Sequence, residues 1–332
     1  MSKMSTDPIR HALHGPTMGT RWTALFHAET GFDPEPVQAA LQTAVDEVDA
    51  QMSTWKPDSD LTRLNAAPVG VWQAVPARLL DVLVLGRDVG RASGGAFDMG
   101  LGDAVAAWGF GTNEADPTLI RAAMARRRVE TALEIDVAGA RVRKTADITL
   151  DLNGIAKGYG VDRLADTLVA LSIPAALVGI DGEMRAVGLR PDGAPWTIAV
   201  EAPDPARRAP HSVLALHDAA VATSGDYRHW VEVQGRRLSH TMDPTKGAPL
   251  LAPPASVTVI AQTCAEADAW ATALMVLGVD AGATLAEQRG LDALFLVRDD
   301  KTGIQSKAFG RLFLEQPSEG VSGLDRKVSK PS

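Results

Sequence analysis

Two oxygen-bearing side chains, Asp268 and Thr272, stand four residues apart in "TCAEADAWATALMVLG" (263–278). In a helix that spacing stacks them on one face, one turn apart. A carboxylate and a hydroxyl so placed suit a hard cation such as Mg²⁺, which takes oxygen ligands and keeps waters and substrate phosphate in its shell. The spacing by itself also fits, and does not outweigh, a plainer arrangement, with the Asp bonded to a neighbouring loop and the Thr to its own helix. Ala265, Ala267, Ala269, Ala271 and Ala273 leave room around it for another backbone or a ligand.

Other stretches carry compatible chemistry. "DLNGIAKGYGVDRLADTL" (151–168) crowds Gly154, Lys157, Gly158 and Gly160 into a turn before an amphipathic pattern. Glycines and a lysine at a helix start suit phosphate, although the spacing is neither GxxxxGK[ST] nor GxGxxG. "ATSGDYRHW" (222–230) offers Thr223, Ser224 and Gly225 at an expected turn, and "LSHTMDPTKGAPL" (238–250) holds His240 and Asp243. His240 suits a phosphate donor or proton shuttle; "DPTKG" reads equally as a plain hairpin turn, with His240 a satisfied strand residue. Trp55, in "MSTWKPDSDLTRLN" (52–65), can stack on a planar ring or simply pack. Asp98 sits in the Gly-rich "GGAFDMGLGDAVAAWGFG" (94–111), suited to a tight crossing near a ligand or to ordinary turns.

These residues need elements to hold them. Val37, Leu41, Val45, Val48 and Met52 recur at helical spacing over 33–52, and 75–93 reads as a second helix ended by Gly94 and Gly95. Val161, Leu164, Ala165 and Leu168 mark a helix after the Gly-rich turn, and Thr263 with Glu266 forms a capping box opening a helix over 264–278. Residues 20–28, 195–203, 255–263 and 291–299 read as strands, 175–189 as a strand pair, and 128–152 as short strands. Strands and helices interleave without repeats or a linker. The expected fold is one compact α/β unit over 17–314 of mixed sheets and helices, open to division into two lobes. It follows a polar segment, 1–16, and precedes a tail, 315–332, whose composition predicts disorder.

Composition narrows the classes. The 332 residues are 45% apolar with a net charge of −8 and no basic run interleaved with aromatics, which argues against nucleic-acid binding. Cys264 is the one cysteine, so no internal disulfide or cysteine metal cluster forms; at a helix start among apolar residues it reads as a buried spectator. No HExxH, CxxC or GxSxG motif is present. The opening residues lack a signal-peptide pattern and no run of about 18 apolar residues suggests a membrane span, so the expected location is the cytoplasm.

In order along the chain, "MGTRW" (18–22), "MSTWKPDSDLTRLN", "GGAFD…WGFG", "DLNGIAKGYGVDRLADTL", "DGEMRAVG" (181–188), "VATSGDYRHW" (221–230), "SHTMDPTKGAPL" (239–250) and "VTVIAQTCAEADAWATALMVLG" (257–278) resemble the ApbE family, the FAD:protein FMN transferases. The resemblance implies an α/β, T-fold-like unit with FAD in a long cleft. It implies Mg²⁺-dependent transfer of FMN from FAD to a Ser or Thr hydroxyl of an acceptor flavoprotein, releasing AMP. By the same resemblance the Mg²⁺ ligands would be Asp268, Thr272 and the carbonyl of Ala156. Lys157 and the N–H groups near Gly158 would lie by the diphosphate. Met52, Trp55, Asp98, Asp181, Gly182, Glu183, Thr223, Ser224 and Gly225 would line the flavin and adenosine ends, with His240 and Asp243 by the reacting phosphate. Trp55 stands where the family usually has Tyr, and Asn153 and Asp181 where it usually has Gly. Two other functions share these features: an FAD pyrophosphatase giving FMN and AMP, and a non-catalytic FAD-binding protein.

Overall fold

The computed structural model describes residues 8–110, 114–125, 132–204, 209–226, 230–233, 236–299, 301 and 303–314. The chain opens with strands β1 (Ile9–Thr17) and β2 (Thr20–Ala28), followed by helices α1 (Glu35–Met52) and α2 (Asp60–Ala66), a short strand β3 (Gln73–Ala74) and helix α3 (Ala77–Ala92). Helices α4 (Gly102–Ala107) and α5 (Pro117–Ala123) lead to β4 (Leu133–Asp136) and β5 (Arg141–Lys144). Helix α6 (Ala156–Ala170) precedes β6 (Ala176–Ile180), β7 (Glu183–Val187), β8 (Trp196–Glu201), β9 (Pro210–Leu216) and β10 (Ala219–Gly225). Short pairs β11 (Trp230–Val233) with β12 (Arg236–Ser239) and β13 (Met242–Asp243) with β14 (Ala248–Pro249) follow. The chain closes with β15 (Ser256–Ala261), α7 (Cys264–Arg289), β16 (Asp292–Asp299), β17 (Gly303–Phe309) and α8 (Arg311–Leu314).

One eight-stranded antiparallel sheet, in the order β1-β2-β6-β7-β10-β15-β16-β17, organises the molecule. Both of its faces are covered, and the period-two alternation of its strands shows how. Trp22, Ala24, Phe26, Val178 and Ile180 meet α1 and α6 on one face, where Val257, Val259 and Phe295 meet α7. Leu177, Ile260, Leu294 and Leu296 point the other way, against Trp196, Ile198, Leu214 and Leu216 of the β8–β9 ribbon. A second apolar cluster ties α1, α2 and α3 to α6, α7 and the small β3–β5–β4 sheet.

Three expectations are revised. The segment 1–16 is not all outside the fold: residues 9–16 belong to β1, whose edge position lets it alternate polar and apolar side chains. Thr223, Ser224 and Gly225 end strand β10 instead of forming a turn, paired to Thr258, Val257 and Ser256 of β15. The helix expected over 264–278 does stop at Gly278, whose φ of 72° is left-handed, but helical structure resumes and runs to Arg289. The tail 315–332 lies outside the described residues. Helix α7 is long and apolar enough to cross a membrane by length and composition; its packing against β10, β15 and α6 is that of a core helix.

The sheet carries a notch. Pairing of β10 with β7 ends at Val221↔Met184, while β10 continues to Gly225 beside β15 alone. The missing neighbour is the β6–β7 hairpin, closed by a two-residue turn at Asp181-Gly182 because Ile180 pairs directly with Glu183. Asp181 adopts φ 58°, the left-handed conformation that a two-residue hairpin turn calls on at its first position.

Candidate functional site

A cleft of about 640 Å³ opens at that notch, within the range of about 300–1,000 Å³ usual for ligand sites. Its walls come from the α3–α4 connection, the turn before α6, the β6–β7 tip, β8, the end of β10, the segment 240–242 and α7. Phe97, Leu101, Val105, Phe110 and Val276 supply apolar surface. Asp98, Asp151, Asp181, Glu183, Glu201 and Asp268 supply carboxylates, against Lys157 and His240.

The crossing of α6 and α7 fixes the polar end. The Gly158 N–H donates to Asp268 Oδ2 at 3.1 Å. The helices meet so closely that a Cβ on Gly158 would stand 2.3 Å from the carbonyl oxygen of Cys264. Glycine is required there for close approach. Asp162, one turn further along α6, accepts from the N–H groups of both Cys264 (2.8 Å) and Ala265 (2.9 Å). Thr263 accepts from the Glu266 N–H at 3.3 Å and donates to its carboxylate at 2.9 Å. The first turn of α7 is thus capped from its own chain end and from a neighbouring helix. Arg185 of β7 donates to Asp162 at 2.8 Å, linking the hairpin to the same node.

Asp268 is 5% exposed. Burial, then the nearby Glu183 carboxylate, pushes its pKa up to about 7, against the pull of Lys157 and the Gly158 N–H. Its Oδ1 takes no hydrogen bond among the described residues, while the Thr272 hydroxyl lies 3.2 Å from Ser224 Oγ. These oxygen donors facing a cleft fit a hard cation. Among the described residues no three His, Cys, Asp or Glu side chains converge as a metal centre. A cation at Asp268 would therefore complete its shell from backbone, water or a phosphate-bearing ligand. Ala156, whose carbonyl is the third expected ligand, opens α6 two residues before Gly158.

Lys157 Nζ bonds Glu183 Oε1 at 2.7 Å and stands 3.7 Å from Asp181 Oδ2. Burial alone would lower its pKa, but the carboxylates of Glu183, Asp268 and Asp181 outweigh that and hold it protonated. Thr223 and Thr258 hydroxyls meet at 2.9 Å.

Of the residues expected in a site, the cleft gathers Asp98, Lys157, Asp181, Gly182, Glu183, Thr223, Ser224, Gly225, His240, Asp268 and Thr272. Five others are not among its lining residues, Ala156 at the start of α6 being one. Met52 is a core residue at the end of α1, 4% exposed. Trp55 projects from the α1–α2 turn at 61% exposure, its backbone N–H donating to Ser53 Oγ. Gly158 faces α7. Asp243 is taken up in the β13–β14 turn by Thr245 and Lys246, each within 2.9 Å. Burial would raise the Asp243 pKa; the Lys246 and Thr245 bonds overcome this and lower it.

Asp162, Asp151 and the β8 residues Ile198–Glu201 carried no site expectation. Asp151 lines the cleft with Asn153 donating to both its oxygens, at 2.8 and 3.1 Å, and burial raises its pKa. The local signal for Asp162 was a charge flanked by Val161 and Leu164 on an apolar helix face.

A family model described as the ApbE family matches residues 18–295. The chain belongs to the ApbE family. Curated relatives within it include the FAD:protein FMN transferase of Vibrio cholerae, 37% identical over 293 residues that cover 87% of each chain. That of Salmonella typhimurium is 32% identical over 313 residues, covering 91% of this chain and 88% of the relative. Among solved structures, the Pseudomonas stutzeri flavinyl transferase ApbE in its apo form superposes with a TM-score of 0.82 at 38% identity, covering 94% of this chain and 98% of that one. The flavin transferase ApbE from Vibrio cholerae gives 0.81 at 34% identity, covering 91% and 98%. The mixed α/β fold is therefore that of the ApbE family.

Proposed function

We propose that this chain is an FAD:protein FMN transferase, moving FMN from FAD onto a Ser or Thr hydroxyl of an acceptor flavoprotein and releasing AMP. The observation that carries the reading is the convergence of Asp268, Thr272, Lys157 and His240 on one cleft, in a chain of this family.

Asp268, Thr272 and the Ala156 carbonyl would hold Mg²⁺. When bound, the ion supplies neutralisation of charge on the diphosphate and on the departing AMP. Lys157 adds fixed positive charge beside the diphosphate, where preorganised charge favours phosphoryl transfer. The Thr223 and Ser224 hydroxyls and the free edge of β10 orient the ligand in the notch. Phe97, Leu101 and Phe110 give a planar ring an apolar wall. His240 takes the proton of the acceptor hydroxyl as its oxygen bonds to the FMN phosphorus. The bond from that phosphorus to the AMP oxygen breaks, and AMP leaves with the electron pair.

The test is AMP release from FAD and Mg²⁺, with and without an acceptor flavoprotein domain. The reading expects AMP only with the acceptor. Equal AMP without it, with free FMN, would identify a pyrophosphatase; retained FAD and no AMP in either arm would identify a binding protein.

A further inference from the structure

We propose that Asp181 sets how tightly this chain holds a flavin diphosphate, by competing with it for Lys157. The inference rests on the reading that places the diphosphate at Lys157.

Lys157 is shared by two carboxylates of unlike freedom. Glu183 is fixed: its side chain is 4% exposed, and it takes the Lys157 ammonium at 2.7 Å and the Gly182 N–H at 3.1 Å. Asp181 is not: its side chain is 37% exposed, and its contact with Lys157 is the longer one, 3.7 Å. Glu183 alone already balances the lysine, so Asp181 brings the trio to a net negative charge. A diphosphate entering beside Lys157 meets that excess and reaches the ammonium only as Asp181 swings away.

The carboxylate has no other task in the structure. Among the described residues it makes no hydrogen bond, and its one charged contact is Lys157. The backbone explains only part of the residue: the hairpin turn needs φ 58°, which Asn or Gly adopts as readily as Asp. The charge, unlike the backbone conformation, is dispensable to the turn. Asp181 is thus a specificity-determining residue, selecting against phosphorylated flavins in proportion to how much they need Lys157. A half-exposed ion pair of this kind shifts an equilibrium by no more than about fivefold, and salt screens it.

Binding of FAD and of riboflavin, which lacks phosphate, would be titrated by flavin fluorescence against the full chain in saturating Mg²⁺. The comparison covers the native chain, Asp181→Asn, Asp181→Gly and Lys157→Ala. Both Asp181 variants are expected to bind FAD about two- to fivefold more tightly, with riboflavin unchanged and the gain shrinking in high salt. Unchanged or weaker FAD binding in both, or a gain shared by riboflavin, would overturn the inference. Weakened FAD binding in Lys157→Ala without a gain in Asp181→Asn would overturn it alone. Undiminished FAD binding in Lys157→Ala would overturn the diphosphate placement and this inference together.

Discussion

The backbone N–H of Gly158 points at Asp268 across 3.1 Å, and no larger residue than glycine fits at that crossing. Two stretches distant in sequence, the Gly-rich start of α6 and the Ala-rich face of α7, are thereby locked at one point. Gly158→Ala would drive a methyl into the Cys264 carbonyl and force the helices apart. The expected cost is about 1–3 kcal/mol, seen as a lower Tm, with a loss of turnover beyond what unfolding explains. A Tm and turnover equal to the native chain's would contradict the close crossing.

Asp162 holds the same joint from the side. Asp162→Ala leaves the Cys264 and Ala265 N–H groups and Arg185 without their acceptor. Unpairing buried donors of this kind costs about 2–4 kcal/mol in total, measurable by urea unfolding. Because burial raises the Asp162 pKa despite these bonds, Asp162→Asn should recover part of the loss. A variant as stable as the native chain would refute the capping role.

Asp268 predicts the opposite sign for stability. Its pKa lies at about 7 in the folded chain, against about 3.9 when unfolded. The folded state therefore binds the extra proton, and its stability falls as pH rises from the unfolded value through the folded one. In metal-free protein, Asp268→Asn should lose that dependence and be at least as stable as the native chain at pH 8. Thermal scans from pH 5 to 8 in chelator check this; a variant less stable than the native chain throughout would contradict it.

His240 lines the cleft and is the proposed acceptor of the hydroxyl proton. As the proton acceptor, its replacement in His240→Ala should lower kcat by about 10²–10⁴ while FAD binding changes little. Single-turnover rates with flavin titrations separate the two. An unchanged kcat would move the proton transfer elsewhere, with Asp151 the next carboxylate in the cleft to test.

What the sequence made legible follows from how local each signal is. The Thr263–Glu266 capping box and the Asp268–Thr272 spacing lie within one helix, and the structure shows both as read. Strand 20–28 likewise declares its own alternation, and the strand pair over 175–189 its central turn at Asp181-Gly182. The Thr223–Gly225 strand was misread because its polar side chains serve the cleft, where hydroxyls replace the usual apolar pattern. Asp162 was invisible because its partners lie on another helix, and only the crossing of α6 with α7 brings them together. Asp243 looked reactive by residue type, yet its own turn consumes its oxygens.

The central claim is that this cleft transfers FMN to a protein hydroxyl by way of Asp268. The direct measurement is the intact mass of an acceptor flavoprotein domain after incubation with FAD and Mg²⁺, using the native chain and Asp268→Asn in parallel. The account predicts a gain of one FMN on the acceptor with the native chain, AMP in equal amount, and no gain with the variant. An acceptor of unchanged mass with the native chain, or full modification by Asp268→Asn, would contradict it.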